Sequence, residues 1–127
     1  MELQASVIIP TFNQSRRLQR CINGVLNQSI SRKNYEVIVV NDGSVDDTDI
    51  VLNKFKSEHG IIYVKNKVNS GLSTTRNKGI NIAKSDILIF IDSDIIVDFY
   101  FIEKNLKYHE KFNQDSLAII GNLSTAP

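Results

Sequence analysis

The sequence predicts an α/β fold: an open, mostly parallel sheet with helices on both faces. Two observations carry this. Short runs rich in Ile and Val recur along the chain and are nearly continuous in apolar character, which is how strands buried on both faces read. Polar–apolar stretches long enough for helices lie between them, and strand alternating with helix is the pattern of βαβ units.

The elements follow in order. "SVIIP" (6–10) is the first strand. After it, Leu18, Cys21, Ile22, Val25 and Leu26 fall at i, i+3, i+4, i+7 and i+8, the single apolar stripe of a helix. "YEVIVV" (35–40) is the second strand. Ser44, with Asp47 three residues on, reads as a capping box, and acidic residues occupy the first turn of the helix it opens. "IIYV" (61–64) is the third strand, and a third helix is expected from near Ser73 to about Lys84. "DILIFI" (86–91) reads as a fully buried fourth strand. A fourth helix fits "DFYFIEKNLKYHEKF", with Phe101, Leu106 and Phe112 facing inward, and "LAII" (117–120) predicts a fifth strand.

Composition narrows the function. The 127 residues suit one domain that buries about two-thirds of its unfolded surface. Hydrophobic content of 42% and charged content of 23% exclude a disordered chain. The net charge is +1 and Lys and Arg never run longer than two, which argues against a nucleic-acid partner. Cys21 is the only cysteine, so neither an intrachain disulfide nor a Cys zinc cluster can form, and it reads as a core residue. "MELQASVIIP" has no basic n-region and its apolar run stops at Pro10, unlike a signal peptide. The longest strictly apolar run is five residues, against the ~20 that cross a bilayer. The expected setting is the reducing cytoplasm, at a membrane surface only through other regions or partners. His59 and His109 read as surface residues at helix ends.

Ligands of open parallel sheets bind outside the carboxyl ends of the strands, where strand order reverses. If the first and fourth strands are neighbours, "PTFNQS" (10–15), "NDGS" (41–44) and "DSD" (92–94) meet there. "NDGS" leads into a helix rather than a second strand, so it is not a hairpin. Asp42 then sits at a carboxyl end, open to capping or to accepting hydrogen bonds from a ligand. "NSGLSTTRNKGI" (69–80) is either a capped helix with Arg76 solvated or a helix N-terminus that meets an anion with Arg76 or Lys78.

Asp92 and Asp94 pose the sharpest question. In an extended chain they share a face, with β-carbons roughly 6–7 Å apart. Like charges that close repel unless a positive charge lies between them, so the pair is either splayed into water at a turn or holds a cation. An EF-hand is excluded, because counting from Asp92 its fifth and sixth positions hold Ile96 and Val97. No G-x-G-x-x-G follows a strand and no P-loop is present. A two-carboxylate site for Mg²⁺ or Mn²⁺, shared with substrate phosphates, remains.

Taken together, "VIIPTFN" (7–13), "NDGS" (41–44), "GLSTTRNKGI" (71–80) and "DSD" (92–94) resemble, in order and spacing, the nucleotide-binding half of family 2 glycosyltransferases. These have the GT-A fold, a Rossmann-like sheet with an Asp-x-Asp metal motif, and the resemblance covers most of residues 3–122. It implies that Pro10, Thr11 and Asn13 line a nucleoside pocket and that Asp42 contacts the base, usually uracil. It further implies that Arg76 meets the base or diphosphate, that Asp92 bonds the ribose or assists the metal, and that Asp94 ligates Mn²⁺ or Mg²⁺. The implied donor is a nucleotide-diphospho-sugar, a UDP-sugar favoured. The implied reaction is inverting transfer to the hydroxyl of a glycan, lipid-linked sugar or protein, as in polysaccharide biosynthesis.

In that family the catalytic base comes from the portion after the fifth strand, and this sequence ends at "GNLSTAP". No residue is therefore assigned as base, and Asp98, Glu103 and Asp115 read as surface carboxylates. The expectation for residues 1–127 is a single, truncated donor-binding domain that transfers poorly alone. The alternative is a nucleotide-binding or interaction module without the chemistry. A sugar nucleotidyltransferase would carry a Gly-rich basic loop, and a receiver domain an acidic cluster, where this chain has "PTFNQS".

Overall fold

The structure is a computed structural model that describes residues 2–113, 117–121, 123 and 124. Its strands are β1 (Ala5–Thr11), β2 (Tyr35–Asn41), β3 (Ile62–Lys65) and β4 (Leu88–Phe90). Its helices are α1 (Ser15–Leu26), α2 (Thr48–His59), α3 (Leu72–Ile82) and α4 (Phe101–Phe112). The sheet runs β3-β2-β1-β4, and every pairing is parallel. The predicted class therefore holds.

This order dictates where the helices go. The chain steps from β1 to β2 to β3 in one direction, then returns past β1 to lay down β4. Parallel crossovers are right-handed, so the reversal sends α3 to the opposite face from α1 and α2. The core divides accordingly. Val7 and Ile9 of β1 and Val37 and Val39 of β2 pack with Leu18, Ile22 and Val25 of α1, Leu52 of α2 and Ile102 of α4. On the other face, Ile8, Ile38 and Val40 pack beneath Ile82 of α3.

The central strands β1 and β2 are buried along their whole length. The fourth strand is not the fully buried one expected. It is three residues long, it lies at the sheet edge, and Phe90 is 43% exposed. The reason is placement: Phe90 pairs with Ile8, on the face covered by α3, and α3 sits over β1 and β2. The expected fifth strand is absent. Residues 117–120 are irregular and Ile120 is 95% exposed, because an apolar run becomes a strand only when it finds a ladder partner. In α4 the buried residue is Ile102, Phe101 and Leu106 are half-buried, and Phe112 points outward. Asp115 lies outside the described residues. His59 is exposed and His109 half-buried. No helix among the described residues is long and apolar enough to cross a membrane.

One close approach fixes α3 on the sheet. A Cβ on Gly79 would stand 2.5 Å from Cγ2 of Ile8, a fully buried side chain. Gly79→Ala is expected to cost about 1–3 kcal/mol by overpacking. Urea unfolding checks this, and combining it with Ile8→Ala should cost less than the sum of the two. An additive pair would show that the contact is not what sets the penalty.

Candidate functional site

The carboxyl ends of β1, β2 and β4 open onto a cleft of about 460 Å³ at the point where strand order reverses. Pro10, Thr11, Phe12 and Gln14 form one wall, Asp42 with Asn69, Gly71, Leu72 and Thr75 another, and Asp92, Ser93 and Asp94 the third. Five of the expected residues thus meet: Pro10, Thr11, Asp42, Asp92 and Asp94. Asn13 and Arg76 are not among the residues lining it.

Asn13 works as a staple between loops. Its backbone is left-handed (φ +51°), its N–H donates to Ser44 Oγ at 2.9 Å, and its side-chain carbonyl accepts from Val45 N–H at 2.8 Å. This also displaces the expected capping box. Ser44 is turned to Asn13, α2 begins at Thr48, and Asp46 accepts the Thr48 N–H at 3.0 Å. Asp46 Oδ2 also accepts from Ser15 N–H at 3.4 Å, tying the starts of α1 and α2 together.

Asp42 is 5% exposed and organises the second wall. Asn66 Nδ2 and Ser70 N–H donate to its Oδ1 at 2.8 and 2.7 Å, and Gly71 N–H donates to Oδ2 at 3.0 Å. Burial alone would raise its pKa, but the bonds from Asn66, Ser70, Gly71 and Thr75 outweigh burial and hold the carboxyl below its ordinary range. The start of α3 does meet an anion, as the sequence allowed, but the anion is this carboxylate. Lys78 turns to the Asn66 side-chain carbonyl. Asn66 is the hub that sequence reasoning missed; its only signal was a polar residue directly after β3, at a carboxyl end of the sheet.

Asp92-Ser93-Asp94 is a turn, not an extended segment: Ile95 N–H donates to the Asp92 carbonyl at 3.0 Å. Asp92 and Asp94 are both exposed while Ser93 is buried. The same-face argument for an extended pair does not apply, and the two carboxylates come to the cleft by the turn. Two contacts hold it from below. Ser93 Oγ donates to Gln14 Oε1 at 3.2 Å, and Cys21 Sγ donates to the Asp92 carbonyl at 3.6 Å. Burial, then Asp94 and Asp92, push the Cys21 thiol up to about 12, so it stays a neutral core group. Arg76 pairs with Asp92 at 3.2 Å, whereas Asp94 has no cation within 4.0 Å among the described residues. No cluster of three or more His, Cys, Asp or Glu able to hold a metal occurs among the described residues. Thr11 Oγ1 is buried without a hydrogen-bond partner at the cleft. Asp98 and Glu103 line no part of it.

The arrangement is a cleft of mixed polar and apolar lining with carboxylates on two of its walls. YfnE of Bacillus subtilis, described as an uncharacterized glycosyltransferase, is 37% identical over 119 residues, 94% of this chain and 30% of YfnE. The poly(ribitol-phosphate) beta-N-acetylglucosaminyltransferase TarP of Staphylococcus aureus is 37% identical over 88% of this chain and 35% of TarP. The crystal structure of residues 1–349 of S. aureus TarS with UDP-GlcNAc superposes with a TM-score of 0.81 at 25% identity, covering 91% of this chain and 33% of that one. The chain thus spans about a third of the length of these relatives. The sequence model of the family described as Glycosyl transferase family 2 matches residues 6–121, and the chain belongs to that family.

Proposed function

We propose that residues 1–127 form the donor-binding domain of a glycosyltransferase, and that the cleft takes the nucleoside diphosphate of a nucleotide sugar, with UDP favoured. The observation that carries this is the placement of Asp42 and the Asp92–Asp94 turn on opposite walls of one cleft at the switch point. The UDP-GlcNAc held by TarS, which shares the fold, supports the choice of nucleotide. The whole protein would transfer the sugar, with inversion, to an acceptor hydroxyl, its base drawn from residues other than those described.

Each wall has a part. Asn66, Ser70 and Gly71 aim the Asp42 carboxylate at the cleft, where an acceptor suits the N–H of a uracil. Thr11 lines the cleft beside it. Arg76 holds Asp92 and offsets its charge beside Asp94. Two carboxylates and nothing more fit Mg²⁺ or Mn²⁺, ions that take their other ligands from phosphates and water. Asp94, exposed and unpaired, would ligate directly, with Asp92 assisting. When bound, such an ion stabilises the charge that develops on the departing diphosphate.

Calorimetric titration of UDP, against GDP and ADP, with and without Mn²⁺, tests the reading. Saturable UDP binding that needs Mn²⁺ is expected. Losing even an outer partner of a metal ligand costs roughly 10–100-fold, so Asp94→Ala should weaken UDP at least that far while leaving the melting temperature unchanged. Failure of the folded chain to bind UDP would refute the donor assignment.

A further inference from the structure

A second, smaller cleft of about 230 Å³ adjoins the first, lined by Arg17, Arg20, Asp94 and Ile96. Asp94 belongs to both clefts and stands as the wall between them. Arg17 and Arg20 are three residues apart on α1 and so share a face. The helix buries Leu18, Cys21, Ile22 and Val25 against the sheet, which leaves both arginines exposed. Neither guanidinium has a carboxylate within 4.0 Å among the described residues, although Asp94 lines the same cleft.

Two unpaired guanidiniums in a concavity make a chemical demand. Each offers a fork of donors matched to a phosphate oxygen pair, and nothing else on the cleft wall accepts from them. The volume is below the roughly 300–1,000 Å³ of pockets that enclose whole small molecules, and suits one phosphate with its attached carbons. We infer that Arg17 and Arg20 form an oxyanion subsite for a phosphate group carried by the acceptor, across Asp94 from the donor diphosphate. This rests on the donor reading only for which side is which. The donor cleft includes neither arginine, so a phosphate on them and a diphosphate on the Asp92–Asp94 turn would be bound together, with the transferred sugar between.

The test is a titration with inorganic phosphate, read at the arginine Nε–H resonances by NMR, on the free chain and on the chain saturated with UDP and Mg²⁺. Saturable shifts at Arg17 and Arg20 that survive UDP are expected. They should weaken roughly tenfold or more in Arg17→Ala/Arg20→Ala, with UDP affinity within about twofold of the parent. Phosphate binding that the double variant leaves intact would overturn the subsite. Displacement of phosphate by UDP, with UDP weakened in the double variant, would overturn its acceptor side and return the arginines to the donor diphosphate. Phosphate binding in a chain that fails to bind UDP would uphold the oxyanion subsite and sink the donor reading alone.

Discussion

Gly43→Ala is expected to cost roughly 2–5 kcal/mol and to abolish nucleotide binding, although the residue contributes no atom to the cleft wall. Two penalties coincide there. Gly43 has φ +77°, and a Cβ on it would lie 2.8 Å from both the amide nitrogen of Asn69 and the carbonyl carbon of Val68. Those are backbone atoms, so no rotamer change relieves the clash. The 68–69 segment must move, and Asn69 and Gly71 of that loop, with Leu72 at the start of α3, line the cleft. Gly60→Ala separates the terms: its φ is +63°, and a Cβ there meets nothing within 4 Å. That variant should lose only the backbone penalty of about 1–2 kcal/mol and keep its UDP affinity. Chemical denaturation and UDP titration of both variants decide the matter. Equal losses in the two would show that the Gly43–Asn69 approach carries no weight.

The contrast shows what the sequence could and could not disclose. Strands β1 and β2 were legible because burial on both faces leaves an uninterrupted apolar run, and α1 because its stripe repeats with helical period. Sheet order could be posed from the motifs, since polar residues after three strands make sense only if the ends meet. What escaped was set by contacts distant in sequence. Nothing in "PTFNQS" announces that Asn13 will bond across 31 and 32 residues to Ser44 and Val45, which is why the local Ser44–Asp47 box did not form. For the Asp92–Asp94 pair the extended, same-face geometry did not form, and the turn that the sequence left open did. Its turn depends on the buried Ser93 and on Gln14 and Cys21 beneath it, and an i, i+2 count alone does not encode that. For β4, hydropathy reported an apolar run but not that its face toward α3 would be left partly uncovered.

Asp42→Ala should destabilise by roughly 2–4 kcal/mol, because three donors lose their acceptor at once. Asn66 Nδ2 and the Ser70 and Gly71 amides all turn to this carboxylate. A buried donor left without an acceptor, as Asn66 would be, costs about 1–3 kcal/mol, and the two part-buried amides add less because water reaches them. Asp42→Asn should cost less: with its oxygen in the Oδ1 place it keeps the bonds from Asn66 and Ser70 and loses only that from Gly71. The pair of variants also isolates a pH effect. The folded carboxyl lies below its ordinary value, so in acid the unfolded chain binds the proton first and stability rises with pH. The contribution is complete above the unfolded value, about 3.9, and is lost as pH falls through the lower folded one. Stability of the parent should therefore fall steeply below about pH 4, and that of Asp42→Asn less steeply. Some slope must remain, because hydrogen bonds from Thr48 and Ser15 outweigh burial at Asp46 and lower its carboxyl too. Identical slopes in parent and Asp42→Asn would mean that Asp42 is not held as the charged acceptor of this loop, and the wall it organises would need another cause.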